Sequence, residues 1–202
     1  MNKLRDFLRY NITTIFISIS FIVLYVINDV VGDNIVYNAL SGSGFKKLNG
    51  EVYRIITASF LHGNLLHLTA NITALVCVGS FLEKKFGSLK MLLLYICLDV
   101  ATSILFYGYM NECTNGNGSS IVIYALFAVF LVLKLRYPTQ FTYPRCNYSI
   151  AYMVIYFYVA GFFGNYLTHV IHAFSFAIGL AAGLLMLFAN GKGLNTSVSM
   201  DK

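Results

Sequence analysis

His67 and Asn71 stand four residues apart in an apolar run, so both project from one helix face, as two donors to a developing oxyanion would need to. Ser120 follows the stretch Asn115-Gly116-Asn117-Gly118-Ser119, a poor helix former, and opens another apolar run. There it sits among the first amides of a helix, which lack intrahelical partners and can bind an anion. His172 lies inside the last apolar run, and Asp99 inside the third. Strongly polar and ionisable groups are expensive within lipid and mark function more often than packing.

Whether these groups can meet depends on the elements that carry them. The chain has 202 residues, of which 58% are hydrophobic and only 11% charged. The mean hydropathy is +0.71, and an average soluble domain carries about 25% charge. Lipid is therefore the solvent for most of the chain. Six apolar runs are found: Ile12 to Val31, Leu65 to Leu82, Leu89 to Met110, Ser120 to Leu135, Ile150 to Leu167 and His169 to Asn190. With about 20 residues needed per span, they fill the chain and predict one compact all-α, six-helix membrane bundle. The first run follows Lys3, Arg5 and Arg9 but is too long for a signal core and has no small-residue cleavage site after it, which predicts a signal anchor.

The charge pattern tests this count. On alternate sides of the membrane, Lys3, Arg5, Arg9, Lys84, Lys85, Lys90, Lys134, Arg136, Arg145, Lys192 and Lys202 share one side, eleven of the 14 Lys and Arg. Only Lys46, Lys47 and Arg54 fall on the other. The positive-inside rule makes the first side, with both termini, cytoplasmic. Topology thus accounts for the net charge of +6 without nucleic acid. The longest loop, about Gly32 to His62, is external, and its amphipathic stretch Val52 to Leu61 is predicted to rest in the interface.

Measured at 1.5 Å per residue from the cytoplasmic end of each helix, Ser120 lies roughly 21 Å up, His67 roughly 24 Å, Asn71 roughly 18 Å and His172 roughly 27 Å. All four share one slab in the outer third. His62 and His169 fall at about 32 Å, at the external interface, and Asp99 at about 14 Å, near mid-membrane. The fourth run offers only about 20 Å of apolar length from Ile121 to Leu133, against a hydrocarbon core of roughly 30 Å. Non-helical backbone at depth is tolerated where it lines protein or a wet cavity, so a polar cavity open to the outside is expected, with Ser120 at its floor. A metal is not expected: the four histidines include no HExxH motif and no carboxylate near both pairs in depth. Cys77 and Cys97 lie in apolar runs, Cys113 and Cys146 in loops on opposite sides, so no disulfide framework is expected.

The stretch Glu51-Val52-Tyr53-Arg54 with Phe60-Leu61-His62, then His67 and Asn71, then Gly79, Glu83 and Gly87, resembles the WR, FxH, HxxxN and GxxxExxxG run of the rhomboid intramembrane serine proteases. Gly118-Ser119-Ser120-Ile121 followed by Tyr124 resembles the family's GxSG helix start, and His172, Ser175 and Gly179 its HxxGxxxG. The likeness covers about residues 50–186 of a single domain spanning 1–202, with short cytoplasmic tails. It implies Ser120 as nucleophile and His172 as general base, with His67, Asn71 and the Ser120 amide as the oxyanion hole, Tyr124 packed on the His172 ring, and Gly118 and Gly179 in support. A register with Ser119 as nucleophile would put Tyr124 five residues on instead of the family's four. Ile121 and Ser175 stand where the family has glycine, and Tyr53 where it has tryptophan.

The resemblance implies an endopeptidase of the cell membrane. Its partners are single-pass transmembrane substrates and the lipid bilayer, and it needs no cofactor, metal or nucleic acid. The alternative is a rhomboid-like pseudoprotease that binds transmembrane segments without cutting them. A channel or transporter has little support, with one deep carboxylate and no half-repeat.

Overall fold

The computed structural model describes residues 2–42, 50–109, 116–141, 144–163 and 166–189. Lys46, Lys47, Cys113, Asn115, Asn190, Lys192 and Lys202 lie outside them. The described residues are all-helical. An N-terminal helix α1 (Asn2–Tyr10) leads into α2 (Ile12–Val31), and α3 (Ile35–Leu40) and α4 (Arg54–Thr57) lie in the long loop, the latter running into a 3₁₀ turn, Ala58–Phe60. Then come α5 (Leu65–Phe86), α6 (Ser88–Tyr109), α7 (Ser120–Arg136), α8 (Pro144–Phe163) and α9 (Tyr166–Ala189). By length and composition α2, α5, α6 and α9 can each cross a membrane.

Helix boundaries follow the apolar runs closely up to α7. The fifth run, read as Ile150 to Leu167, is instead a helix from Pro144 to Phe163, and the last begins at Tyr166 rather than His169. Proline suits the first turn of a helix, where its missing N–H costs nothing. An apolar pattern cannot register the polar first turn that follows it.

α7 is the axis of the bundle. Every side chain from Val122 to Phe130 is buried, and α5, α6 and α9 pack around it. A helix apolar on all sides has to be enclosed. The outer helices turn Ile19, Val23, Leu93, Leu185 and Phe188 outward, the surface a bilayer would cover. α9 approaches α7 through Ser175, Gly179 and Gly183, all buried on one stripe. A Cβ added at 179 would run into the Ala125 backbone, and one at 183 would sit 3.0 Å from Val132 Cβ. Small residues are what allow such close helix contact.

Glu83 shows how an acidic group is tolerated inside the bundle. Asn11 makes no side-chain cap at the start of α2. The buried Glu83 carboxylate takes that role, accepting from the Thr13 amide at 2.7 Å and from the Thr14 amide and hydroxyl, each at 2.8 Å. A carboxylate at a helix N-terminus also meets the favourable end of the helix dipole. Gly79 lets α2 come this near, since a Cβ there would lie 2.9 Å from Thr14 Oγ1. Gly87, at φ 83°, ends α5 and turns the chain straight into α6. Glu83→Ala leaves three donors unpaired, and an unfolding free energy lower by about 3 kcal/mol is expected. Reversible unfolding in mixed micelles checks it.

The long loop between α2 and α5 is tied down by Arg54. Its guanidinium donates to the carbonyls of Asn38 at 2.7 Å and Ser41 at 2.9 Å, and to the Glu51 carboxylate at 2.7 Å. The Arg54 hydrogen bond, with that of the Tyr53 hydroxyl, holds the Glu51 carboxyl below its usual range. Gly42 and Gly116 exchange backbone hydrogen bonds of 2.9 and 2.7 Å, fastening this loop to the segment that precedes α7.

Candidate active site

Ser120 is the first residue of α7 and His172 lies in the second turn of α9. Both are nearly buried, and His172 Nε2 is 2.9 Å from Ser120 Oγ. The small stripe on α9 explains the distance: His172, Ser175 and Gly179 lie on one face, so the close approach at Ala125 carries the histidine to the start of α7. Tyr124, one turn beyond Ser120, stacks on the His172 ring with centroids 4.1 Å apart and planes 16° from parallel. Phe157 and Tyr156 back the tyrosine at 3.7 and 5.7 Å. The imidazole is thereby fixed in tilt by aromatic packing.

The pair opens on a cavity of about 180 Å³, walled also by Ser59, Ser103, Asn117 and Ile121. Ile121 is half-buried at its edge, and the Ser120–His172 contact forms with this side chain in place.

His67 lies behind Gly118, whose φ is 101° and whose Cα faces the His67 ring so closely that a Cβ would overlap it. Asn64 caps the helix by accepting from the His67 amide at 2.8 Å. Asn71, fully buried one turn on, donates through Nδ2 to the His67 carbonyl at 2.9 Å and accepts from the Tyr156 hydroxyl at 3.0 Å. One of its two amide protons is thus used within its own helix, leaving the other available.

A family profile, the Rhomboid domain, matches residues 49–190. The chain belongs to the rhomboid family. It is 29% identical over 141 residues to Rhomboid-like protease 2 of Toxoplasma gondii, a match covering 67% of this chain and 48% of that one. It is 28% identical over 180 residues to Rhomboid protease GlpG of an Enterobacter species, covering 88% and 62%. With GlpG of Haemophilus influenzae it shares 27% over 158 residues, covering 76% and 79%. The chain spans about half the length of the first of these relatives and about three fifths of the second. With its apolar helices, this rhomboid is a polytopic membrane protein.

One of the two outlying histidines is more enclosed than the depth arithmetic implies. His62, expected at the external interface, is buried against Phe21 at 4.8 Å and the His67 ring at 5.1 Å. The loop before α5 folds inward, which a ruler along straight helices cannot register. His169 is exposed. Asp99, of uncertain role in the sequence, accepts from Ser59 in the 3₁₀ turn at 2.8 Å. Tyr95 and Tyr156, whose hydroxyls reach Ser119 and Asn71, were missed. Buried tyrosines keep a polar tip that needs a partner, but among 15 tyrosines the sequence does not tell which tips turn inward.

Proposed function

We propose that this rhomboid is an intramembrane serine endopeptidase of the cell membrane, with six spans and both termini cytoplasmic. It admits a single-pass transmembrane segment sideways and cleaves it near its outer end. One observation carries the reading: the 2.9 Å contact between Ser120 and His172 at the wall of a cavity, with the imidazole clamped by Tyr124. As His172 Nε2 takes the hydroxyl proton, Ser120 Oγ attacks the scissile carbonyl carbon, and the resulting oxyanion is held by the Ser120 amide, His67 and Asn71. Collapse expels the new N-terminal amine, which receives the proton from His172 and leaves an acyl ester on Ser120. Water from the cavity, deprotonated by His172, then hydrolyses that ester. Among the described residues no carboxylate pairs with His172, and the Tyr124 stack takes over the orienting role that such a group plays in triads. No cofactor or metal enters any step.

Binding without cutting is the second reading, and Ile121, in the place of a family glycine, is its motive. The short dyad contact favours the protease.

Reconstituted wild type should release a product cut near the outer end of a single-pass substrate, and Ser120→Ala should release none. No Ser120-dependent product from a panel of transmembrane segments would leave the binding reading. His67→Ala and Asn71→Ala are each expected to lower kcat by the order of 10², the size of a lost oxyanion donor, at nearly unchanged KM. A change confined to KM would make them structural.

A further inference from the structure

Ser119 occupies the N-cap position of α7, yet its side chain caps nothing. A capping serine normally adopts extended backbone and accepts from an amide two or three residues on. Ser119 instead has φ −75° and ψ −1°, in the helical region, and its hydroxyl pairs with the Tyr95 hydroxyl of α6 at 2.8 Å. Tyr95 also faces Ser59, which lies 2.8 Å from Asp99 Oδ2. Tyr95, Ser59, Ser119 and Asp99 are all buried, so this chain of hydroxyls ending on a carboxylate runs inside the protein and meets the cavity wall at Ser59.

Two conformations compete at the start of α7. In one, Ser119 turns extended and its oxygen satisfies the amide of Ile121 or Val122, the ordinary preference of serine before a helix. That would rotate the Gly118-Ser119-Ser120 turn, and with it Ser120 Oγ. It would also bring a lone pair to the place where an oxyanion has to develop. In the other, the Tyr95 hydroxyl holds Ser119 helical, and among the described residues the first amides of α7 have no side-chain cap from Ser119. The structure has the second.

We propose, building on the protease reading above, that Tyr95 is a positioning residue for the nucleophile: its hydroxyl keeps Ser119 from capping α7, so that Ser120 and the amides beside it stay turned to the cavity. Asp99, through Ser59, anchors that tyrosine. This gives the deep carboxylate a task outside the chemistry.

The test is a double-mutant cycle read as kcat and KM on one transmembrane substrate in proteoliposomes, with Ser120→Ala as blank. Tyr95→Phe frees the Ser119 hydroxyl to cap, and kcat is expected to fall roughly tenfold, the size of one buried hydrogen bond, at unchanged KM. In the Tyr95→Phe/Ser119→Ala double variant no hydroxyl remains to cap, and kcat is expected to return to within about twofold of Ser119→Ala, since the coupling term of the cycle carries the whole effect. Tyr95→Phe at the wild-type rate overturns the proposal. So does a double variant as slow as Tyr95→Phe, because loss of packing or folding is not restored by removing a second hydroxyl. Both of those outcomes leave the protease reading standing if the wild type cleaves and the blank does not. A wild type no better than the blank overturns the protease reading and this proposal together.

Discussion

Ser120→Ala and His172→Ala are each expected to lower cleavage of a transmembrane substrate by the order of 10⁴ or more, as removal of either partner does in serine hydrolases generally. The two groups act as one unit across a 2.9 Å contact, so the double variant is expected to be no worse than either single one. Ser119→Ala should keep most of the activity, because that hydroxyl is buried against Tyr95 and turned from the cavity. His169→Ala should do the same, since His169 is exposed and the ring at the serine is His172. Initial rates in proteoliposomes check all five variants. A dead Ser119→Ala beside an active Ser120→Ala would shift the nucleophile by one residue.

Gly179→Val is expected to reduce activity nearly as far without touching a reacting group. A Cβ at 179 meets the Ala125 backbone rather than a side chain that could swing aside, so α7 and α9 must separate. That displacement acts on the same two helices that carry Ser120 and His172. A misplacement of about 1 Å in a reacting pair costs on the order of 10² in rate. The two branched methyls are too large to be absorbed by so small a shift, and the bundle is expected to lose stability as well. Gly183→Ala is the control: its Cβ would lie 3.0 Å from Val132 Cβ, a side-chain contact about three turns from the dyad that can yield by a few tenths of an ångström. Cleavage rates and unfolding midpoints of the two variants check the contrast. A fully active Gly179→Val would show that the dyad distance is not set by this helix contact.

The sequence carried much of this architecture because lipid imposes a simple grammar. Apolar length and the placement of Lys and Arg located α2, α5, α6 and α7 to within a few residues. The depth arithmetic put Ser120 and His172 at a common level because each rides on a continuous helix whose rise per residue is fixed. Non-helical segments escaped that arithmetic. The burial of His62 could not be read from depth alone, because the loop before α5 folds inward. The partners of Asp99, Tyr95 and Asn71 depend on which face of each helix turns to which neighbour, and α6 and α7, whose apolar residues are spread around all sides, leave no amphipathic stripe from which to read it. Ile121 could be seen as a departure from the family pattern, but only the packing of Gly179 on Ala125 shows how the dyad closes beside it.

The central claim is that Ser120 is an activated nucleophile, and a fluorophosphonate probe tests it without any knowledge of the natural substrate, because such probes react with serines whose proton a neighbouring base accepts. Wild type, Ser120→Ala, His172→Ala and Ile121→Gly would be labelled in one detergent, and the modified residue located by peptide mass spectrometry. The account predicts that the wild type is labelled on Ser120, that both alanine variants stay unlabelled, and that Ile121→Gly changes the rate little. A wild type indistinguishable from Ser120→Ala, with labelling gained in Ile121→Gly, would contradict it and make this rhomboid a protein that holds transmembrane segments without cutting them.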